Sequence, residues 1–197
     1  MSAAEPLTQK ARTTRAALVR SGYELFVEQG YGAVSVRDLA RRTQVTSGAL
    51  YGHFRNKADL LVAAIADHID RDLQVKGTGA DTLRTYVRRQ WRSYGARAGL
   101  RALLVEAAAA ARIDPEVERQ MHELQTAQLA EWKAIYRGLQ EIEGLDPAVD
   151  MNAVVTMLWA TELGLGVLES WDVDLPKPTT WSRVVDRFLA SLEPAER

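Results

Sequence analysis

The stretch SVRDLARRTQVTSGALYGHFRNK, residues 35–57, decides the architecture of this 197-residue chain. Ser35 followed by Asp38 is a capping box, each side chain taking a backbone N–H of the opening turn. Val36, Leu39 and Ala40 give the short helix that follows an inward face, while Arg37, Arg41 and Arg42 project outward. The turn contains Gln44 and is plugged by Val45; Thr46 or Ser47 then caps another helix, ending near Phe54. Leu50 and Phe54, four residues apart, anchor that helix, so Thr46, Ser47, Ala49, Tyr51, Gly52 and His53 face away. Asn56 caps the next helix, with Asp59 at its third position.

Working outward, Leu18, Gly22, Leu25 and Phe26 form one face of a first helix over Thr8–Gln29, stopped by Gly30. The helix opened by Asn56 runs to about Asp72, with Leu61, Ile65, His68 and Ile69 on one side. Lys76-Gly-Thr-Gly79 marks a boundary. Helices follow at roughly 80–97, 99–112, 114–143, 147–171 and 179–192. Two of them start at Asp114-Pro115 and Asp146-Pro147, each an N-cap with proline in the first turn. No stretch alternates at period two for long. The expectation is an all-α chain of about nine helices. A helix-turn-helix head with its linking helix occupies 8–75, and a helical ligand-binding and dimerisation body occupies 80–195.

Two short helices across a tight turn, braced by a third, place the second helix in the major groove of duplex DNA. The charge distribution agrees. Residues 1–60 carry nine Lys or Arg against five Asp or Glu, a net +4, and the rest carries 16 against 21, a net −5. A basic head on an acidic body fits a polyanionic partner for the head alone. The absence of cysteine excludes disulfides, thiolate metal sites and a Cys nucleophile, and fits a cytoplasmic location. Lys10, Arg12, Arg15 and Arg20 leave no apolar run for a secretory signal, and charge interrupts every apolar stretch, so no membrane span is expected.

From Ala17 to Leu61 the sequence resembles the tetracycline-repressor (TetR) family of bacterial transcriptional regulators. The resemblance lies in Leu25-Phe26, Gly30-Tyr31, Val34 to Ala40, Val45 to Tyr51, His53-Phe54 and Lys57. It implies that Arg37 contacts a base or phosphate, and that Thr46, Ser47 and Ala49 sit over base edges where Gly48 lets the backbone approach. It implies phosphate bonds from Tyr51, His53 and Lys57, the last beside a helix N-terminus. The family usually has glycine in the turn and a larger residue on the reading helix, where this chain has Gln44 and Gly52.

A regulator of this kind needs a dimer, because two reading helices must lie about 34 Å apart. The last two helices suit that role. Leu165, Leu168, Trp181, Val184, Val185 and Phe188 are expected at the interface, with Gly164 and Gly166 permitting close approach. Trp91, Tyr94, Met121, Trp132 and Trp159, with Tyr136, are expected to wall a pocket for a hydrophobic small molecule, and Glu162 to touch ligand or partner subunit. Glu106 is expected to pair with Arg88 or Arg101. Ligand would act through a hinge at Gly77 and Gly79. The whole implies a repressor released from a palindromic operator by its effector. The alternatives are a regulator of the same fold controlled by a protein partner, and a helical enzyme or lipid carrier. His53, His68 and His122 are scattered, and no nucleophile elbow, phosphate loop or metal-ligand spacing occurs, so neither catalysis nor a cofactor is expected.

Overall fold

The computed structural model describes residues 8–74 and 83–194 and is all-helical over them. In chain order the helices are α1 (Gln9–Gln29), α2 (Val36–Thr43), α3 (Ser47–Tyr51), α4 (Lys57–Gln74), α5 (Leu83–Arg92), α6 (Ala98–Ala111), α7 (Pro115–Glu143), α8 (Met151–Ser170) and α9 (Pro178–Ala190). The anticipated helix over 80–97 gives way after Arg92 to a 3₁₀ turn at Tyr94–Arg97. The hinge glycines Gly77 and Gly79 lie outside the described residues.

The head folds as its local chemistry dictates. Ser35 and Asp38 close the reciprocal capping box, Thr46 accepts the Ala49 N–H at 3.1 Å, and Asn56 accepts the Asp59 N–H at 2.8 Å. Gly30 ends α1 at φ 83°, where a side chain would be strained. Gly22 lets α1 cross α4 closely, for a Cβ there would meet the Leu60 side chain at 3.1 Å. Gln44 takes the left-handed conformation of the turn, φ 56° and ψ 30°. An L side chain pays for that geometry in steric energy. Gln44→Gly should therefore raise unfolding stability by about 0.5–1 kcal/mol, measured by denaturant titration; no gain would mean the glutamine is unstrained there.

One expected helix start is corrected. Asp146-Pro147 does not open α8; Asp150 does, accepting the Asn152 N–H at 2.7 Å. Asp146 instead makes a local turn, accepting the Ala148 N–H at 2.8 Å, while its own N–H donates to the Leu192 carbonyl. The Gln140 amide donates to the carbonyls of Asp146 and Val149, so the connection is tied back to the end of α7.

Two buried clusters organise the interior. One runs from Leu18, Phe26, Leu39, Leu50 and Phe54 through Leu61 and Ile65 of α4 into Leu100, Leu103, Leu104 and Ala107 of α6. Head and body thus share one core. The other gathers Val87, Tyr136, Met151, Val154, Val155, Val185, Leu189 and Leu192 from α5, α7, α8, α9 and the turn after α9. Contrary to expectation, α8 is long and apolar enough by composition to cross a membrane. Its Glu162 and Glu169, however, are paired with arginines inside the protein.

Candidate nucleic-acid interface and effector cavity

Leu50 is fully buried beneath α3, and Phe54 nearly so, which fixes the direction in which the rest of the helix points. Thr46, Ser47, Gly48, Ala49 and Tyr51 are all exposed. Tyr51 shows 53% of its surface, far more than an aromatic ring left without a partner would favour. His53 is half-buried with Nδ1 turned inward and unbonded among the described residues, leaving Nε2 to meet an outside group. A Cβ at Gly48 would meet only the Thr46 hydroxyl, at 3.9 Å. A Cβ at Gly52 would meet the Ala49 carbonyl at 3.3 Å, and its φ of −68° makes no demand for glycine.

The cations of the head divide into two groups. Arg42 bonds Glu28 at 3.1 Å, Arg41 pairs with Asp38, and Arg55 bridges Asp59 at 2.9 Å and Glu116 of α7 at 3.0 Å. Lys57 donates to the carbonyls of Tyr31 at 2.7 Å and Val34 at 3.0 Å, with its ammonium 4.2 Å from the Tyr31 ring centre. Burial lowers its pKa. Expected as a phosphate ligand, Lys57 is thus engaged in fastening the α1–α2 corner. Arg37 is exposed and has no ion pair among the described residues. Arg15, which sequence reasoning did not select, lies 4.8 Å over the Phe54 ring, exposed and equally free of a carboxylate. Its signal was the run of four cations from Lys10 to Arg20, with no acidic residue between Lys10 and Glu24.

In the body a cavity of about 110 Å³ is lined by Ile69, Val87, Gln90, Trp91, Arg97, Leu100, Trp132, Tyr136, Val155, Leu158, Trp159 and Glu162. It has room for several waters or one small ring system. Trp91, Trp132, Trp159 and Glu162 therefore meet as expected. Tyr94 and Met121 do not join them. Tyr94 is buried beneath the Arg101 guanidinium, 3.7 Å from its ring centre, and donates its hydroxyl hydrogen to Glu169 at 3.0 Å. Met121 packs against the core shared with the head. Trp132 meets Trp159 edge-on at 4.9 Å, and Trp91 stacks on Trp181 at 5.2 Å.

Behind the cavity lies an ionic lattice absent from the sequence reading. Arg97 grips Glu162 through Nε and Nη2 at 3.1 and 3.2 Å. Arg101, completely buried, reaches Glu162 at 3.1 Å, Glu169 at 2.7 and 2.6 Å, and the Tyr94 carbonyl at 2.7 Å. Burial opposes the charge of Arg101, but the two glutamates outweigh it and hold the guanidinium protonated. The Arg101 hydrogen bonds lower the Glu169 pKa, and burial with the Glu169 bond pushes Tyr94 up to about 12. Glu106 pairs with neither anticipated arginine. Arg88 bonds Asp186 across to α9, and Glu106 accepts the backbone N–H of Tyr31 in the head.

The six residues expected at a dimer interface separate. Leu165 and Val185 are buried within the chain, each 5% exposed, so they pack inside the subunit. Leu168, Trp181 and Phe188 are half-buried, and Val184 stands out at 59%. An exposed stripe runs down α8 through Ala153, Met157, Ala160 and the anticipated Gly164 to Trp171, which is 70% exposed.

This geometry defines a helix-turn-helix protein whose second short helix is anchored by the buried Leu50 and carries no acidic side chain. Residues 9–64 match the family described as bacterial regulatory proteins, tetR family. The chain is 48% identical over 52 residues to the transposon Tn10 TetC protein of Escherichia coli, covering 26% of each chain. It is 41% identical over 58 residues to an HTH-type transcriptional repressor of Mycobacterium tuberculosis, covering 29% of this chain and 30% of that one. The chain thus matches less than a third of these relatives' length. Over nearly its whole length it shares the fold of Salmonella enterica GusR, with TM-score 0.74 and 21% identity, covering 95% of this chain and 98% of that one. Residues 9–64 thus resemble the N-terminal segment of the tetR family, and over the rest of the chain the likeness is one of fold.

Proposed function

We propose that this protein is a transcriptional regulator that binds a near-palindromic duplex operator as a homodimer. It acts as a repressor, released when a hydrophobic small molecule fills the body cavity. The observation that carries the reading is the outward face of α3. Ser47, Gly48, Ala49 and Tyr51 stand exposed on a helix whose opposite side, at Leu50, is fully buried. Small side chains admit base edges, Tyr51 offers a hydroxyl to a phosphate, and Arg37 brings a cation without a competing carboxylate. Thr46, already capping α3, lies at the same edge with His53. The exposed α8 stripe and Val184 support pairing of two subunits, since so much apolar surface is costly in water.

Coupling follows from α6. Its first turns carry Leu100 and Arg101 at the cavity wall and the ionic lattice, and Glu106 nearer its other end holds the Tyr31 N–H at the corner fastened by Lys57. A ligand that displaces the Glu162 lattice shifts α6, and α6 carries the head with it. The protein-partner alternative calls for a filled body; a cavity walled by three indoles favours an effector.

Duplexes selected from genomic fragments by the purified protein supply the operator for band-shift and transcription assays. Retention of no preferred sequence, or a monomer in sedimentation at micromolar concentration, would sink this reading. Tyr51→Ala is expected to weaken operator binding about tenfold with unchanged thermal stability, as loss of one charge-assisted phosphate bond predicts. Lys57→Ala should do the reverse in emphasis, lowering stability by about 2 kcal/mol because two carbonyls lose their donor. Unaltered melting of Lys57→Ala would show that the corner does not depend on it.

A further inference from the structure

The charges around the body cavity already satisfy one another. Arg97 and Arg101 face Glu162 and Glu169 in a closed set of hydrogen bonds, two guanidinium groups against two carboxylates. A charged ligand would enter this lattice with no free counter-ion, and would have to break a paired group or stay unpaired out of water. The rest of the wall is Trp91, Trp132, Trp159 and Tyr136 with aliphatic neighbours, and Gln90. Gln90 accepts a hydrogen bond from Arg97 Nη1 at 2.9 Å through its amide oxygen. A guanidinium can only donate, so the orientation of that amide is fixed, and its NH₂ is the end left for a bound molecule.

We infer that the cavity takes an uncharged, flat, aromatic or conjugated molecule carrying a hydrogen-bond acceptor, a carbonyl, ether or ring nitrogen, set against the Gln90 amide NH₂. This rests on the effector reading above and narrows it. Indole faces would also attract an organic cation, and Arg97 would attract an anion. The closed Arg97–Glu162 pair decides against both, because each ion in the wall is already neutralised by its neighbour.

Four bicyclic probes of nearly one shape separate the possibilities: quinoline, naphthalene, 1-methylquinolinium and 2-naphthoate. They are titrated into the full-length protein by calorimetry at mildly alkaline pH, where quinoline is uncharged. Quinoline should bind about fivefold more tightly than naphthalene, the worth of one net hydrogen bond, and at least about tenfold more tightly than either ion. Gln90→Leu should abolish the preference for quinoline over naphthalene while leaving naphthalene binding intact. Tightest binding by 1-methylquinolinium would overturn the proposal in favour of a cation cage, and tightest binding by 2-naphthoate would show that Arg97 is available to anions. Equal binding of quinoline and naphthalene to the unaltered protein, or binding of none of the four, would also overturn it. Operator affinity is followed separately. Quinoline binding that leaves the protein on its operator would count against the switch, whereas the ligand class would stand.

Discussion

Arg101→Met is expected to lower the stability of the folded protein by about 3 kcal/mol, the loss typical of leaving a buried ion without its partner. Arg101 is wholly buried and answers two carboxylates, so its removal leaves Glu169 without a cation and Glu162 with Arg97 alone. The low end of the usual range applies because the Glu169 side chain keeps 29% of its surface in water. Adding Glu169→Gln should recover much of the loss, since a neutral amide needs no counter-charge and Glu162 keeps Arg97 as its partner. Denaturant unfolding of the single and double variants checks both statements, and a double variant no better than the single one would refute the ionic explanation.

The same lattice has a pH signature at both ends. The Glu169 pKa is depressed in the folded state, so its stabilisation is present above the ordinary carboxylate range and is lost as pH falls through the lowered value. Tyr94 is raised to about 12, so its contribution is complete below its ordinary 10.0 and disappears as pH climbs toward the folded value. Arg101→Met should flatten the acid limb. In the unaltered protein, tyrosinate absorbance should include a late component, since burial raises both Tyr94 and Tyr31.

Leu50→Ala is the second large effect expected, about 3 kcal/mol for a fully buried leucine whose cavity the neighbours cannot fill. For a chain of this size that corresponds to a fall of roughly 10 °C in melting temperature. DNA retention should fail with it, because α3 is only five residues long and takes its orientation from this one anchor and Phe54. The contrast with Tyr51→Ala is diagnostic. One variant loses binding through the fold, the other through the surface. A Leu50→Ala protein that melts normally yet fails on DNA would place Leu50 at the interface instead of beneath it.

What could be read from sequence was whatever is settled within a few residues. The Ser35–Asp38 box, the Thr46 and Asn56 caps and the Gly30 stop are local bargains between side chain and backbone, and each has its anticipated partner. Asp146-Pro147 looked equally good as a helix start, but Asp150 was a rival cap four residues on, and bonds from Gln140 decide between them. The cavity was half legible. Three tryptophans and Glu162 are conspicuous on apolar faces, whereas Tyr94 belongs to the lattice and Met121 to the other core. Arg97 and Arg101 look like surface residues from sequence, because the glutamates that make their burial possible lie more than sixty positions away. Two of the expected dimer residues fell inside the subunit for a related reason. An apolar helix does not declare which of its sides faces its own subunit, and Leu165 and Val185 proved to be interior while Met157 and Trp171 are bare.

The common core of head and body bears on attempts to recombine regulators. A chimera made by cutting near residue 75 would look natural on the chain, yet it would leave Leu100, Leu103, Leu104 and Ala107 of one parent against Leu18, Leu61 and Ile65 of the other. Transplanting operator specificity onto a new sensor should therefore succeed only when the inward side of α6 travels with the head. The seam to respect is a largely leucine layer contributed by α1, α4 and α6.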